Sequence, residues 1–269
     1  RIFQLLESGK QFTVPDMQRI QTDILSLEDQ WLAGELVRAA KAHPPTTPDA
    51  QYALSLLANF DGEAHAVSSA TLVCEVTRKA LLRRIVAPKL GALTADYEWS
   101  MSTVFMMNVL KNHWTRWLPP GDADFDATLV KSLEEGVAQI PGLVGSSDHA
   151  VWQWGRMIPL TFQNRLTLAF PFLGRFLNVG PVPQAGTQTT VKQTTPTVGP
   201  SMRMVVDFSN LDDSVQNITL GESEQAMSEF YKDQFDAWYH GRSFPMLFSD
   251  DAVAKGARHK LVLEPANQH

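Results

Sequence analysis

The strongest constraint on the fold is a change in the spacing of apolar residues near Gly142. Before this point apolar residues recur every three to four positions, as on one face of a helix. After it, Pro and Gly become frequent and short β-branched runs lie between them. Helices followed by strands favour an α+β fold over alternating βαβ units. The sequence therefore predicts a helical segment at 1–142 and a strand-containing segment at 143–269, both parts of one larger domain.

Helix starts can be recognised through the first segment. Thr13-Val14-Pro15-Asp16 combines a capping threonine with a proline and an acid in the first turn, and the apolar face behind it predicts one helix ending before His43. A second helix is expected after Thr47-Pro48-Asp49, and it ends at Asp61-Gly62. The remaining helices are predicted over Ser68–Ile85 and near Trp99–Trp117 and Asp124–Ala138.

The second segment predicts strands and one longer helix. Ser201–Phe208 has the pattern of a mostly buried strand, with Val215–Leu220 as its neighbour across a turn. Ser223–His240 has helical spacing, and a last strand is expected at His259–Leu263. The inner side of that helix is predicted to carry Met227, Phe230, Tyr231, Phe235 and Trp238.

Composition excludes several classes of protein. The 269 residues include 23 Lys and Arg against 29 Asp and Glu, a formal net charge of −6, and both segments are acidic. A nucleic-acid partner is therefore not expected, because proteins that bind nucleic-acid phosphates usually carry an excess of Lys and Arg. Hydrophobic residues make up 44% of the chain, which excludes intrinsic disorder, yet no apolar run is long enough to predict a membrane span. The single cysteine excludes an internal disulfide framework and a cysteine-based zinc cluster.

The residue types that carry chemistry form no recognisable constellation. Phosphate-binding loops, nucleophile elbows and His-Glu-x-x-His motifs do not occur, and the seven histidines are scattered without metal-ligand spacing. Cys74 lies within an apolar helical run, so we expect a buried inert thiol rather than a nucleophile. The pairs Asp212-Asp213 and Asp250-Asp251 are expected in turns or helix caps rather than as a catalytic dyad.

Three further patterns have a structural interpretation as well as a functional one. The basic group Arg78, Lys79, Arg83 and Arg84 is expected to form ion pairs rather than an anion site. Trp152-x-Trp154-Gly155 is expected in the core rather than along a ligand pocket. Asn217-Ile218-Thr219 matches a glycosylation acceptor but falls on a predicted strand. The residues alone thus predict an α+β chain without a self-contained active site.

Several segments, in order along the chain, carry a family resemblance. They are Arg1-Ile2-x-x-Leu5-Leu6, Phe12-Thr13-x-x-Asp16-Met17-x-x-Ile20-Gln21-x-Asp23, Leu56-Leu57-Ala58-Asn59-Phe60-Asp61-Gly62, Trp152-Gln153-Trp154-Gly155-Arg156, Asn178-Val179-Gly180-Pro181 and, most specific, Gly199-Pro200-Ser201-Met202-Arg203-Met204-Val205-Val206-Asp207 followed by Tyr231-x-Asp233-Gln234, Trp238, Gly241 and Pro245-Met246-x-Phe248-Ser249. Together they resemble the C-terminal part of the β-chain in the penicillin acylase (penicillin amidase) family. These N-terminal-nucleophile amidohydrolases also include acyl-homoserine-lactone acylases.

The sequence departs from that pattern in three places. Phe60 stands where the family usually has Trp, and Gly221-Glu222-Ser223-Glu224 stands in place of Gly-Gln-Ser-Gly. Gln163-Asn164-Arg165-Leu166 replaces a His-Pro-Leu element. These departures bear on the subfamily more than on the fold.

The resemblance implies a fold and a mechanism. The chain would be the C-terminal portion of an αββα sandwich in a self-cleaving precursor. A Ser newly exposed at the start of the β-chain attacks an amide carbonyl, with its own α-amine acting through a water as base. Backbone N–H groups and an Asn hold the oxyanion.

By the family pattern none of these groups lies in this chain, and a supporting Arg falls about three residues before Arg1. The resemblance therefore implies that this chain contains no catalytic, cofactor-binding or metal-binding residue. It also implies that the chain is inactive by itself. A Ca²⁺ site is possible in the upstream part of the precursor. The matched positions are expected to be structural. Asp61-Gly62 forms a turn, Arg203 and Asp207 are paired strand charges, and Tyr231 and Trp238 pack.

The expected partners follow from the resemblance. One is the remainder of the precursor, which comprises the α-chain and the N-terminal part of the β-chain. The other is a small acyl-amide substrate. The resemblance does not decide whether this substrate is a β-lactam, an aromatic acyl amide or a fatty acyl amide. The start at Arg1 is interpreted as processing or truncation, and a periplasmic or secreted bacterial location is expected. The alternatives are a non-catalytic helical binding or interaction module on the same scaffold, and an independent enzyme with an unrecognised site.

Overall fold

The computed structural model describes residues 1–7, 9, 11–96, 102–195 and 199–265. Within these ranges the chain is α+β and dominated by helices. The helices are α1 (Ile2–Leu6), α2 (Val14–Gln21), α3 (Leu27–Ala39), α4 (Pro48–Leu57), α5 (Ser69–Leu90), α6 (Ser102–Lys111), α7 (Phe125–Val137), α8 (Ile140–Val144), α9 (Trp154–Met157), α10 (Leu166–Ala169), α11 (Gly174–Leu177), α12 (Phe235–Tyr239) and α13 (Asp250–Gly256).

The strands form two small antiparallel sheets. Strand β1 (Leu160–Phe162) pairs with β2 (Val179–Val182), so that Leu160 lies opposite Val182. Strands β3 (Met202–Val205), β4 (Val215–Ile218) and β5 (Phe244–Pro245) form a sheet in that order. The predicted pairing of the strands near 201–208 and 215–220 is confirmed, with Arg203 opposite Asn217.

The chain divides into two compact units. The first unit contains Arg1 and Asp23–Gly199, and the second contains Ile2–Thr22 and Pro200–His269. The predicted division of the sequence into segments 1–142 and 143–269 is based on composition and residue spacing, and it stays a prediction. No helix among the described residues is both long and apolar enough to cross a membrane.

The first unit is built around the long helix α5. Helices α3, α4 and α7 pack against α5 and against one another. Their apolar faces enclose one continuous core. The largest side chains that are fully buried in this core are Trp152, Leu36, Leu72, Leu81, Ile85, Leu129, Leu133, Ile140 and Ile158.

A glycine sets the distance between α5 and α7. A Cβ atom at Gly136 of α7 would lie 2.8 Å from the carbonyl carbon and oxygen of Val76 in α5. Real side chains do not tolerate such a distance to backbone, so only glycine allows the two helices to approach this closely.

Each principal helix of this unit begins at a side chain that accepts a backbone N–H. Ser26 caps α3, Thr47 caps α4, Ser68 caps α5 and Asp124 caps α7. The predicted helices after Thr47-Pro48-Asp49, over Ser68–Ile85 and near 124–138 are confirmed. The second of these extends to Leu90, and the helix near 99–117 is confirmed as α6, although residues 97–101 lie outside the described residues.

The single helix predicted from Val14 to His43 is wrong, because the chain leaves the helix after Gln21. Asp23 accepts the N–H of Leu25, and Leu25 forms a β-bridge with Glu63. The N–H of Ser26 then donates to Gly62 O at 2.9 Å before Ser26 caps α3. These bonds satisfy backbone groups that a continuous helix would otherwise pair internally.

The second unit is a three-stranded sheet with short helices around it. Helix α2 packs on β3, and α12 packs on β4. Trp238 of α12 is buried and donates through its indole N–H to Pro200 O at 2.7 Å. The expected packing role of Tyr231 and Trp238 is confirmed, since both are buried.

In strand β3 the apolar side chains are exposed and the charged side chain is buried, the reverse of what the sequence suggests. Met202 and Met204 are 51% and 42% exposed, whereas Arg203 between them is buried. Arg203 donates to Trp238 O at 2.7 Å, with its guanidinium over the Trp238 ring. The prediction of a mostly buried strand is therefore wrong for the methionines.

The expected ion pairing of Arg203 and Asp207 is also wrong within the described residues. Arg203 bonds the backbone of Trp238 as above. The carboxylate of Asp207 instead accepts the N–H and the hydroxyl of Ser209, which makes it part of the turn after β3. These local bonds hold the pKa of Asp207 below its usual value.

Two further expectations for the C-terminal region are wrong. Ser223–His240 contains only a 3₁₀ turn at Glu229–Tyr231 and the short helix α12, and Met227 is 98% exposed rather than inward. The hydroxyls of Ser223 and Ser228 accept N–H groups two residues later, which favours turns over helix. His259–Leu263 forms no strand, because no described segment pairs with it.

Candidate functional site

The structure places the residues that could carry chemistry in structural roles. Among the described residues, no group of three or more His, Cys, Asp or Glu side chains could hold a metal ion. Cys74 is fully buried, as expected, and burial raises the pKa of its thiol well above the usual value. A thiol in that state is not a nucleophile.

Two of the four cations in the basic group on α5, Arg78 and Arg84, form ion pairs, as expected. Arg78 pairs with Glu75 one turn earlier, and Arg84 pairs with Asp122 at 2.7 Å and with Glu135. The Lys79 side chain is exposed, but desolvation by the surrounding protein atoms lowers the pKa of its ammonium group. These contacts hold the surface of α5 to α7 and its preceding turn.

Asp122 lies at the centre of the Arg84 network. Its buried carboxylate accepts bonds from Arg84, from Lys131 at 2.6 Å and from Thr128 at 2.9 Å. Burial alone would raise the pKa of Asp122, but these three donors outweigh it and hold the pKa far below the usual value. Asp122 is thus ionised and fully engaged at neutral pH.

The tryptophan pair and the acidic pairs also have the expected structural positions. Trp152 and Trp154 are 0% and 3% exposed, and the Trp154 indole donates to Gly186 O at 2.7 Å. Asp250 and Asp251 occupy the first turn of α13. Asp212 accepts three bonds from Phe248 and Ser249, and the side chain of Asn217 is buried and donates to Arg242 O at 2.6 Å.

A buried charged cluster joins α3 and α5, and the sequence analysis missed it. It consists of Glu28, Asp29, Glu75 and Arg78, each less than a tenth exposed. Neither carboxylate oxygen of Asp29 has a hydrogen-bond partner among the described residues. Burial and the neighbouring Glu75 raise the pKa of Asp29 well above its usual value, and burial also raises that of Glu28.

This cluster contains three acids against one cation, so its charges do not balance when all are ionised. The raised pKa values resolve the imbalance, because a protonated Asp29 carries no charge in the apolar interior. A charged residue inside the run Leu72-Val73-Cys74-Glu75-Val76 was the one available sequence signal. The residues 28 and 29 gave none, because acids are usual in a first helical turn.

The described residues also form a cavity of about 350 Å³ in the first unit, on the side of α3, α6 and α7. Leu110, Phe125 and Leu129 form its apolar part. The rim carries Arg38, which pairs with Asp126 at 2.7 Å and with Glu35 at 2.8 Å. The described lining contains no Ser, Thr or Cys, so the cavity could hold a small molecule but offers no hydroxyl or thiol nucleophile.

The comparison with protein families decides the identity of this scaffold. The family model described as penicillin amidase matches residues 1–255. The chain belongs to the penicillin amidase family.

Relatives of this penicillin amidase chain are named acyl-homoserine lactone acylase QuiP. The protein from Pseudomonas syringae pv. syringae (strain B728a) is 26% identical over 98% of this chain and 36% of its own length. The one from Pseudomonas aeruginosa is 27% identical over 91% of this chain and 34% of its own length. The chain spans about a third of the length of these curated relatives.

A solved structure shows the fold. The thermostable penicillin G acylase from Alcaligenes faecalis superimposes with a TM-score of 0.60 at 14% identity, covering 98% of this chain and 51% of that one. The predicted α+β fold, as a portion of a penicillin acylase, is confirmed. Within that fold, the described residues of this penicillin amidase chain form a helical core and two small sheets.

Proposed function

We propose that this chain is the C-terminal part of an acylase that hydrolyses acyl-amide bonds through an N-terminal Ser outside these residues. The observation that carries the proposal is the pattern of coverage: relatives match nearly all of this chain, yet the chain spans only about a third of them.

The proposed substrate is a small acyl amide, first of all an N-acyl-homoserine lactone. The curated relatives at 26–27% identity carry that activity in their names. The penicillin G acylase is 14% identical and supports the fold alone, so β-lactam and aromatic acyl amides are secondary candidates.

The remaining groups are proposed to lie upstream. They are the Ser and its α-amine, the oxyanion Asn and any acids that bind Ca²⁺, supplied by the rest of a self-processing precursor. An exported location, periplasmic or secreted, accompanies this proposal. The role left to the 269 residues is a scaffold whose helical core positions those groups.

The experiment compares two proteins: the 269-residue chain, and the product of the full reading frame that contains it. Each is incubated with a long-chain N-acyl-homoserine lactone, and release of the free amine is measured. Hydrolysis by the full product and none by the 269-residue chain is the expected result. Turnover by the purified 269-residue chain would contradict the proposal.

A control separates scaffold from chemistry. Cys74→Ser alters the only thiol of the chain, which is fully buried. We expect Cys74→Ser in the full product to retain activity in proportion to the folded fraction. A complete loss of activity in a folded Cys74→Ser protein would show that this chain supplies a catalytic thiol, and would count against the proposal.

A further inference from the structure

The segment between β1 and β2 has an inverted distribution of polar and apolar side chains. Its short helical turns, α10, Pro171–Leu173 and α11, expose large apolar residues, while Thr167 between them is 3% exposed. The exposed side chains are Leu166 (58%), Leu168 (70%), Phe170 (51%), Phe172 (69%) and Phe176 (64%). Folded chains usually bury such residues and expose threonine. We call these five side chains the apolar tip.

Polar bonds inside the segment fix the apolar tip in place. The side-chain oxygen of Asn178 accepts the N–H of Asn164 at 2.9 Å, directly across the ends of β1 and β2. The hydroxyl of Thr167 donates to Asn164 O at 2.6 Å, and the N–H of Leu166 donates to the Asn164 side chain at 3.0 Å. The apolar side chains therefore point outward because the inside of the turn is occupied by hydrogen bonds.

The charges around the apolar tip are confined to its two ends. Residues 166–174 contain no charged side chain, and Arg165 and Arg175 flank them. The guanidinium of Arg175 lies 4.5 Å from the centre of the Phe176 ring. A matching surface would be apolar at its centre and acidic at its rim.

The exposed area is large for a chain of this kind. With about 200 Å² for each large apolar side chain, the five residues expose about 600 Å². A patch of this size is at the upper end of what monomers leave exposed, and such patches mark interaction sites. It approaches the roughly 800 Å² that each partner buries in a stable interface.

We propose that the apolar tip is the docking surface for the remainder of the same acylase. The inference rests on the proposed function, and the argument for this occupant is length: about two thirds of each relative lies outside the matched chain. The remainder would cover Phe170, Phe172 and Phe176 with apolar side chains and place acidic groups near Arg165 and Arg175.

Thiol labelling tests the proposal. Phe172→Cys introduces a reactive group into the apolar tip, and Lys41→Cys places one at an exposed polar turn after α3 as a matched control. Cys74 is fully buried in both, so its labelling reports only unfolding. The rate of maleimide labelling is measured in the 269-residue chain and in the product of the full reading frame.

The expected result is that position 172 reacts at least tenfold more slowly in the full product than in the 269-residue chain, with position 41 unchanged. If labelling of Cys74 shows that the 269-residue chain is unfolded, the full product alone decides, and position 172 is expected to react at least tenfold more slowly than position 41. Equal rates at positions 172 and 41 in a full product that hydrolyses acyl amides overturn the proposal and leave the proposed function intact.

Other outcomes assign a different occupant. Protection of position 172 in the 269-residue chain that rises with protein concentration indicates a second copy, and protection only with phosphatidylglycerol vesicles indicates a membrane surface. Either result overturns the proposal. Protection within a full product that lacks amidase activity supports the docking surface and refutes the proposed function.

Discussion

The two compact units bury their side chains to very different degrees. In the first unit, α3, α4, α5 and α7 enclose a continuous apolar core, with residues such as Leu72 and Leu133 fully buried. In the second unit the buried apolar side chains are few, and Phe208 and Met227 are more than 90% exposed. The helical core of the first unit thus contains the partners its apolar faces need, whereas the second unit, like the apolar tip of the first, leaves apolar surface without cover.

This difference ranks the expected effects of substitutions. Changes inside the first unit remove contacts that the chain already makes, so they should be costly. Changes at exposed apolar positions of the second unit remove nothing and should be nearly neutral in the 269-residue chain. All effects below refer to the free energy of unfolding, measured by denaturant titration of that chain.

The largest effect is expected for Asp122→Ala. The substitution removes a buried carboxylate that accepts bonds from Arg84, Lys131 and Thr128; since each hydrogen bond to a charged group is worth about 1.5–3 kcal/mol, we expect a loss of about 3–5 kcal/mol. The matched control is Asp126→Ala, whose carboxylate pairs with the more exposed Arg38 and should cost at most about 1 kcal/mol. Equal losses for the two variants would contradict the buried network.

Next is Leu133→Ala in α7, which opens a cavity in the core and should cost about 2–5 kcal/mol. Its counterpart is Leu261→Ala, at a position that is 83% exposed beyond the second unit's sheet, where the change should stay within about 0.5 kcal/mol. This pair tests the comparison directly. A large loss for Leu261→Ala would show that the C-terminal stretch packs after all.

A smaller loss is expected for Gly136→Ala, because its methyl group meets the backbone of Val76 and forces α5 and α7 apart at a cost of about 1–3 kcal/mol. Gly34→Ala is the control, since Gly34 lies on the exposed face of α3 and nothing lies within 4 Å of its added methyl group. There the change should stabilise the helix by about 0.5–1 kcal/mol. Opposite signs are expected, and a loss at both positions would refute the close approach.

The last prediction depends on pH and concerns Asp29. Its pKa in the folded chain is raised by burial, so the folded state holds a proton that the unfolded state releases. Stability due to this group is therefore complete below the unfolded pKa of about 4 and falls as pH rises toward the folded pKa, by about 1.4 kcal/mol for each unit between them. Asp29→Asn should match the wild type near pH 4 and be more stable at pH 8. A wild type that gains stability over Asp29→Asn as pH rises would reverse the assigned sign.

The same contrast explains how far the sequence could predict the fold. The helix at Ser69–Leu90 was predictable because its cap and its partners lie in the chain. Ser223–His240 has helical spacing but also serines that bond to nearby backbone, and local turns prevailed. His259–Leu263 has the composition of a strand, but a strand forms only when another strand pairs with it.

The site residues show a similar limit. The buried position of Cys74 could be predicted, because the apolar residues around it have the spacing of a core-facing helix. The cluster of Glu28, Asp29 and Glu75 could not, since it depends on how α3 packs on α5. The sequence predicts that Arg203 forms an ion pair with an acid, whereas Arg203 contacts the backbone carbonyl and the ring of Trp238.

The central claim is that these residues complete an acylase whose nucleophile lies elsewhere. Intact mass and N-terminal sequencing of the active enzyme, purified from the full reading frame, test it most directly. The account predicts a chain that begins with Ser and includes these 269 residues, associated with a second, smaller chain. Amide hydrolysis by a preparation that contains only the 269-residue species would contradict the account.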